Sequence, residues 1–440
     1  MPDRPGPRSR RAFREEQALI APGTQRISLL SELALAAGEG ATVTDLDGNT
    51  YLDFFAGVTV ASLGHAHPGW VAALEAQLRR IAVGSFTTDT RVRLLAAIAR
   101  LTPGALDRTQ LYSGGAEAVE AAFRLAMSYT GKHEIVGFWG GFHGKTGGVA
   151  GLIGDESKHG WGPLTAGRHS VPYADCYRCP LKTTYPECGL ACAEFARESI
   201  KRTTAGAVAA IIVEPMQGTA GNVVPPPDFL PAVQSIAREI GAVLIADEMI
   251  TGFGRTGRWF GCEHSGTVPD VMTVGKGMGN GFPVSGLIST DAIVQSEPFS
   301  RPSASSSSYG GNPLAAAAAL ATIEAIERED LVARSAALGA RLVEGLRAMQ
   351  ERHRFIGDVR GAGLMIGLDL VRDRVTKEPL PRATTERIFL EALRRGLLVM
   401  GYFPRMRINP PLTITAQQID EALAILDEAF ATVAAEAGRP

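Results

Sequence analysis

Residues 243–277 read VLIADEMITGFGRTGRWFGCEHSGTVPDVMTVGKG. The stretch holds two short apolar runs, VLIA and VMTV, each followed at once by charge or glycine. Runs of that length bounded by turn residues read as buried parallel strands. In an open α/β sheet, ligands bind at the carboxyl ends of such strands. Asp247 and Lys276, 29 positions apart, therefore stand at or just past two strand ends. A carboxylate and an amine that converge there suit pyridoxal phosphate (PLP). The amine condenses with the aldehyde, and the carboxylate keeps the ring nitrogen protonated so that the ring draws in electrons.

DEMITGFGRTG followed by PDVMTVGKGMGNGFP resembles the signature of the class III aminotransferases, of the 4-aminobutyrate, ornithine and ω-amino-acid kind, which are PLP enzymes of fold type I. The resemblance implies Lys276 as the Schiff-base lysine and Asp247 as the ring-nitrogen partner. Alone, either residue reads better as a surface lysine after a strand or an aspartate capping a turn. Two matching blocks at the family spacing favour the site.

Four further blocks extend the resemblance. TQLYSGGAEAVEAAFRLAMSYTG (residues 109–131) is a strand, a glycine turn and an amphipathic helix. Glycines at such a turn let backbone N–H groups approach an anion at the positive end of the helix. SGGAEAVEAA resembles the family's phosphate loop, which implies Gly115 and Ala116 as donors to the PLP phosphate with Gly114 alongside. EIVGFWGGFHGKTGG (134–148) is a strand and a glycine-rich loop, and by resemblance Phe142 stacks on the pyridine ring; His143 receives no role. Met249 stands where the family packs an apolar residue on the opposite ring face, a place that suits a flexible thioether. In SSSSYGGNPLAAAAALATIEAI (305–326), Pro313 opens a helix, and Ser308 takes the place of a threonine that reaches the phosphate bound by the other subunit. That implies a homodimer with shared active sites. MRINPPLTIT places Arg407 as the substrate-carboxylate arginine, whose planar fork takes a carboxylate with two bonds.

The chain departs from the family at two positions. After VEPMQG, the glutamate of the 4-aminobutyrate and ornithine branches is replaced by Thr219. Ile250 replaces a glutamine that lies near the ring's phenolic oxygen, and isoleucine has no hydrogen bond to give.

Elsewhere, composition sets limits. A 45% apolar content supports a large core, and a formal charge of −2 argues against nucleic acid or an anionic membrane as the partner. No apolar run reaches the length of a membrane span, and the arginine- and proline-rich opening lacks an apolar signal core, so the cytoplasm is expected. Cys176, Cys179, Cys188 and Cys192 lie in one short piece. Thiolates at such spacing can hold tetrahedral zinc in a structural role; reduced buried thiols are the favoured reading ahead of zinc, and disulfides are least expected in a cytoplasm. No metal is assigned to the active site.

The expected architecture is α/β: a fold type I PLP-dependent transferase with a mostly parallel seven-stranded sheet in the large domain and a small α/β domain. The expected divisions are a disordered tail (1–25), a segment joining the small domain (26–65), the PLP-binding domain (66–325) and the C-terminal small domain (326–440). The expected reaction moves an amino group from an amino acid or ω-amino donor to a 2-oxo acid. Amino-acid racemisation or epimerisation on the same fold is the alternative, although the motifs mark no second acid for the far ring face. A catalytically inactive PLP-binding partner is the other, and intact Lys276, Asp247 and Arg407 speak against it.

Overall fold

The computed structural model describes residues 4–437. The chain forms two compact units, one of residues 69–332 and one that joins both chain ends, up to residue 68 and from residue 333. The boundaries fall a few residues beyond those expected after 65 and 325.

In the unit of residues 69–332, seven strands form one sheet in the order Arg108–Tyr112, Ser285–Ser289, Val271–Val274, Val243–Asp247, Val208–Val213, Glu134–Phe138, Arg168–Val171. Ser285–Ser289 runs antiparallel to both neighbours, and the other pairings are parallel. This is the mostly parallel seven-stranded sheet of the expected fold. The central strands VAAIIV, VLIAD and VMTV are buried at every position. That is the pattern of a parallel sheet covered on both faces. The Gly115–Thr130 helix lays Ala118, Val119, Ala122, Phe123, Leu125 and Ala126 into the same core as Ile212, Ile245 and Leu287. The helix Pro313–Arg328 starts where the sequence predicts. Asn312 Oδ1 accepts the N–H groups of Leu314 (3.0 Å) and Ala315 (2.9 Å), and Pro313 takes the first helical position, where no N–H is needed.

The unit of the chain ends holds two small sheets. Thr42–Asp45 and Thr50–Asp53 pair antiparallel around a turn in which Gly48 has φ 87. Ile356–Ala362 and Met365–Leu370 form an antiparallel hairpin, and Arg405–Ile408 pairs with the second of these strands.

The tail is corrected over part of its length. Residues 7–17, expected to lack structure, form the helix Pro7–Gln17. Its first turn is held by Asp47, whose carboxylate accepts the N–H groups of Arg8 (2.9 Å) and Ser9 (2.8 Å). A carboxylate at a helix amino end satisfies donors that the helix itself leaves open.

Candidate active site

The two central strands bring Asp247 and the lysine segment side by side. Asp247 pairs in register with Thr273, and the Glu248 N–H donates to the Thr273 carbonyl at 2.9 Å. Three residues on, Lys276 adopts φ 42. That left-handed conformation is uncommon for a side chain with a Cβ and marks a backbone held in place by its surroundings. Gly275 makes the approach feasible, since a Cβ there would lie 2.7 Å from Met249 Sδ.

Asp247 is 2% exposed. Its Oδ1 accepts the Met249 N–H and the Thr273 hydroxyl, both at 3.1 Å, and its Oδ2 lies 2.6 Å from His143 Nδ1. A carboxylate offers about four acceptor positions, so Oδ2 has room for one more donor. Burial by itself would lower the His143 imidazole, but the hydrogen bond and charge of Asp247, with Glu214 beyond, outweigh it and raise the pKa above the usual histidine range. The Lys276 ammonium acts on the same ring in the opposite direction, which puts lysine, histidine and aspartate in one electrostatic neighbourhood.

The glycine turn before the Gly115–Thr130 helix comes to the same residues. Gly114 precedes the Gly115–Thr130 helix, so Gly115 and Ala116 carry the first N–H groups, which have no acceptor within the helix. Glu117 reaches back to the N–H groups of Ser113 (3.1 Å) and Gly114 (3.3 Å), and Ser285 Oγ donates to the Gly114 carbonyl at 2.8 Å. A Cβ on Gly115 would meet Met249 Sδ at 3.2 Å, and one on Gly144 (φ 129) would collide with Ala116. Met249 therefore packs between Gly115 and Gly275, and the loop of Phe142, His143 and Gly144 closes onto the helix start.

The sequence reading missed Glu214, a buried carboxylate at the end of the Val208–Val213 strand. Glu214 Oε1 accepts the Phe142 N–H at 2.9 Å and Oε2 accepts the Gly218 N–H at 3.0 Å. One side chain thus ties the Phe142 loop to the loop that carries Thr219. Burial raises its pKa; the Asp247 charge adds to the rise, while His143 and the two N–H bonds oppose it. The signal was there in VEP, a carboxylate directly after a buried strand, as in IAD. His143 was also passed over, and only the fold reveals its partner. Ile250 packs against Gly218, and Thr219 is exposed. The neighbour of Asp247 does different work: Glu248 accepts from the Thr251 hydroxyl and from the N–H groups of Gly261 and Cys262, both at 2.8 Å, and so fixes the loop after the strand.

Asp247 and Phe142 are tied to His143 and Glu214 by hydrogen bonds, Met249 bonds to Asp247 and packs beside Gly115 and Gly275, and Ala116 lies against Gly144. Ser308 is exposed on its loop and is not part of this set. Arg407 belongs to the unit of the chain ends, on the strand Arg405–Ile408, where its N–H donates to the Met400 carbonyl at 3.2 Å. Two residues on, Asn409 donates to the Phe54 carbonyl (3.0 Å) and, from its side chain, to Thr59 Oγ1 (2.7 Å). Ala56, Gly57, Val58 and Thr59 form a left-handed turn with φ 48, 60, 65 and 66. Such a run costs about 1–2 kcal/mol per non-glycine residue. It is offset in part by Asp53 Oδ1, which accepts the N–H groups of Phe55 (3.0 Å) and Ala56 (2.8 Å).

The family model of the class-III aminotransferases matches residues 26–430. The chain belongs to that family. It is 36% identical to the leucine/methionine racemase of Thermococcus litoralis over 434 residues, 97% of this chain and 96% of that one. It is 34% identical to the 5-aminovalerate aminotransferase of Pseudomonas aeruginosa, covering 95% and 97% of the two chains. Among solved structures, an amine transaminase from an uncultivated Pseudomonas species, with PLP bound, superposes with a TM-score of 0.88 at 33% identity, covering 94% of this chain and 98% of that one.

Class-III aminotransferases use PLP, and the residues of this chain fit that group. Asp247 keeps an acceptor position beside a raised histidine, the Gly115–Thr130 helix opens with N–H groups that have no acceptor within it, and the lysine follows a glycine packed against Met249.

Proposed function

We propose that this aminotransferase transfers an amino group from an amino acid or ω-amino donor to a 2-oxo acid, with PLP as its cofactor. One observation carries the reading: the buried Asp247 carboxylate takes three donors, keeps a place for a fourth, and has His143 behind it. PLP, when bound, supplies an aldehyde that captures amines and a ring that accepts the electrons released at the substrate's reacting carbon. Lys276 is the residue that would hold it, and the base that takes and returns the proton at that carbon. Asp247, its charge steadied by His143, keeps a proton on the ring nitrogen. The N–H groups of Gly115 and Ala116, with Gly114 alongside, would hold the phosphate, and Phe142 and Met249 would cover the ring faces. Arg407 is proposed to take the substrate carboxylate, and Ser308 the phosphate of a second subunit.

That last role requires a homodimer. It is supported by the exposed apolar residues Leu78, Ile81, Val83 and Phe86, the last 84% exposed, together with Tyr309 at 68%. A second chain covering these residues would take their apolar area from water. Light scattering at micromolar concentration tests it, and a monomer would remove the role of Ser308. Among the described residues no helix is long and apolar enough to cross a membrane. A cytoplasmic place is part of the proposal, and five cysteines free of disulfides fit a reducing compartment.

Racemisation is the second reading, favoured by the 36% identity to the Thermococcus racemase. The test mixes purified protein with pooled amines and amino acids. A transaminase donor converts the bound cofactor from its aldehyde to its amine form. A racemase yields the opposite enantiomer of an amino acid with no lasting loss of the aldehyde form.

A further inference from the structure

The four clustered cysteines are free thiols, and among the described residues no three His, Cys, Asp or Glu side chains converge as a metal-ligand set. The geometry lends the zinc reading no support. The loop of Ser308, by contrast, is fastened at both ends to one element of the site.

At its near end, the Tyr112 hydroxyl donates to the Ser305 carbonyl at 2.9 Å, and Arg124 Nη1 donates to the Ala304 carbonyl at 3.1 Å. Tyr112 is 2% exposed, and burial lifts its phenol to about 12, so it stays a donor at neutral pH. At the far end, Gly310 lies against the Leu111 carbonyl, where a Cβ would come within 2.3 Å of the oxygen. A Cβ on Gly311, at φ 67, would lie 3.0 Å from Leu111 Cβ. Only glycine lets the backbone approach so closely. Both fastenings therefore come from Leu111 and Tyr112, the last two residues of the strand Arg108–Tyr112. Between them lie residues 306–309. The Ser307 hydroxyl accepts the Gly310 N–H at 3.2 Å and closes this tip on itself, while Ser308 and Tyr309 are exposed. A short tip clamped to a strand end presents its side chains with little freedom.

The same strand runs straight on into Ser113, Gly114 and Gly115, the turn proposed above to hold the phosphate of the chain's own cofactor. Ser285 pairs with Tyr112 in register, and its hydroxyl donates to the Gly114 carbonyl at 2.8 Å. Arg124 stands on the helix that follows the turn. One strand end thus carries the glycine turn and clamps the loop of Ser308.

We infer that Tyr112, seconded by Arg124, is a positioning residue for the cofactor of the second subunit: it holds Ser308 where that hydroxyl meets the other chain's phosphate. The inference rests on the homodimer reading above. Tyr112 acts through the Ser305 carbonyl, so its loss is felt in the other chain's site and not in its own.

The test uses differently tagged chains co-expressed as mixed dimers. One chain carries Lys276→Ala, so that PLP is held covalently only in the other. The readout is the fraction of intact chains that borohydride still labels at Lys276 after timed dialysis. Ser308→Ala on the Lys276→Ala chain should speed the loss of PLP from the other chain. Tyr112→Phe on that same Lys276→Ala chain should speed it roughly threefold, as expected for one lost hydrogen bond. Tyr112→Phe on the chain that keeps Lys276 should leave the wild-type rate. Tyr112→Phe added to Ser308→Ala should bring little more, since both act through one contact. Arg124→Gln should repeat the effect across the dimer, and serves if Tyr112→Phe does not fold. An effect of Ser308→Ala with none from Tyr112→Phe or Arg124→Gln would overturn this inference alone. So would faster loss only from the chain that itself carries Tyr112→Phe. No effect of Ser308→Ala on the other chain, or a monomer by light scattering, would overturn the homodimer reading and the inference with it.

Discussion

Replacing Asp247 by asparagine keeps the shape of the side chain and removes its charge. The carboxylate serves the Met249 N–H, the Thr273 hydroxyl and His143 Nδ1. An amide offers one oxygen with two acceptor positions and an NH2 that only donates. If the oxygen stays with Met249 and Thr273, the NH2 takes the place of Oδ2 and faces both His143 and the cofactor nitrogen. His143 must then lose its Nδ1 proton, and the ring nitrogen meets a donor in place of an anion. A hydrogen bond to a charged group contributes about 1.5–3 kcal/mol. With the loss of ring protonation, turnover should fall by about 2–4 kcal/mol, on the order of 10²–10³ in rate. The variant should still bind PLP. Two assays check this: the rate of the donor half-reaction, and a nitrogen-15 titration of His143 in cofactor-free protein. The raised His143 pKa is expected to fall, because burial then acts against Glu214 alone, without the nearer Asp247 charge. Turnover within a factor of a few of wild type, or an unmoved His143, would refute the reasoning.

Lys276→Ala should leave a folded protein that holds PLP only non-covalently; in wild type, borohydride reduction and peptide mapping should put the pyridoxyl label on Lys276, and a label on another lysine would reassign the role. Because burial raises the Glu214 pKa, the folded chain keeps a proton there that the unfolded chain has already lost. The stability this gives is present at low pH and is lost as pH rises through the raised value; Glu214→Gln should flatten that slope in urea melts taken across pH, and an unchanged slope counts against it. Arg407→Ala should raise KM for the 2-oxo acid more than for a donor without an α-carboxylate, and Thr219→Glu should shift preference toward such donors. Equal changes in kcat/KM for a matched pair of donors would mean that neither position reads the carboxylate.

What could be read from the sequence was what depends on near neighbours. Short apolar runs ending in Asp247 and before Lys276 announced buried strands, and Asn312-Pro313 announced a helix start, since each signal lies within a few residues of its effect. What escaped depends on partners that only the fold brings together. His143 and Asp247 are 104 residues apart, and Glu214 reaches a backbone N–H 72 residues away. The Pro7–Gln17 helix was missed for the same reason, as its cap comes from Asp47, 39 residues beyond Arg8. The left-handed turn at Ala56–Thr59 holds only one glycine, so composition gave no warning of it. Beside the bonds to Asp53, part of its support comes from Asn409, at the other end of the chain.

The central claim is amine transfer, and following the amino nitrogen tests it most directly. The purified protein is given a nitrogen-15 amino donor and a 2-oxo acid, and the products are resolved by mass and by enantiomer. The account predicts that the label moves into a new amino acid made from the 2-oxo acid, in amounts equal to the carbonyl product left by the donor. Label that stays on the donor while its enantiomer accumulates, with or without the 2-oxo acid, would contradict it.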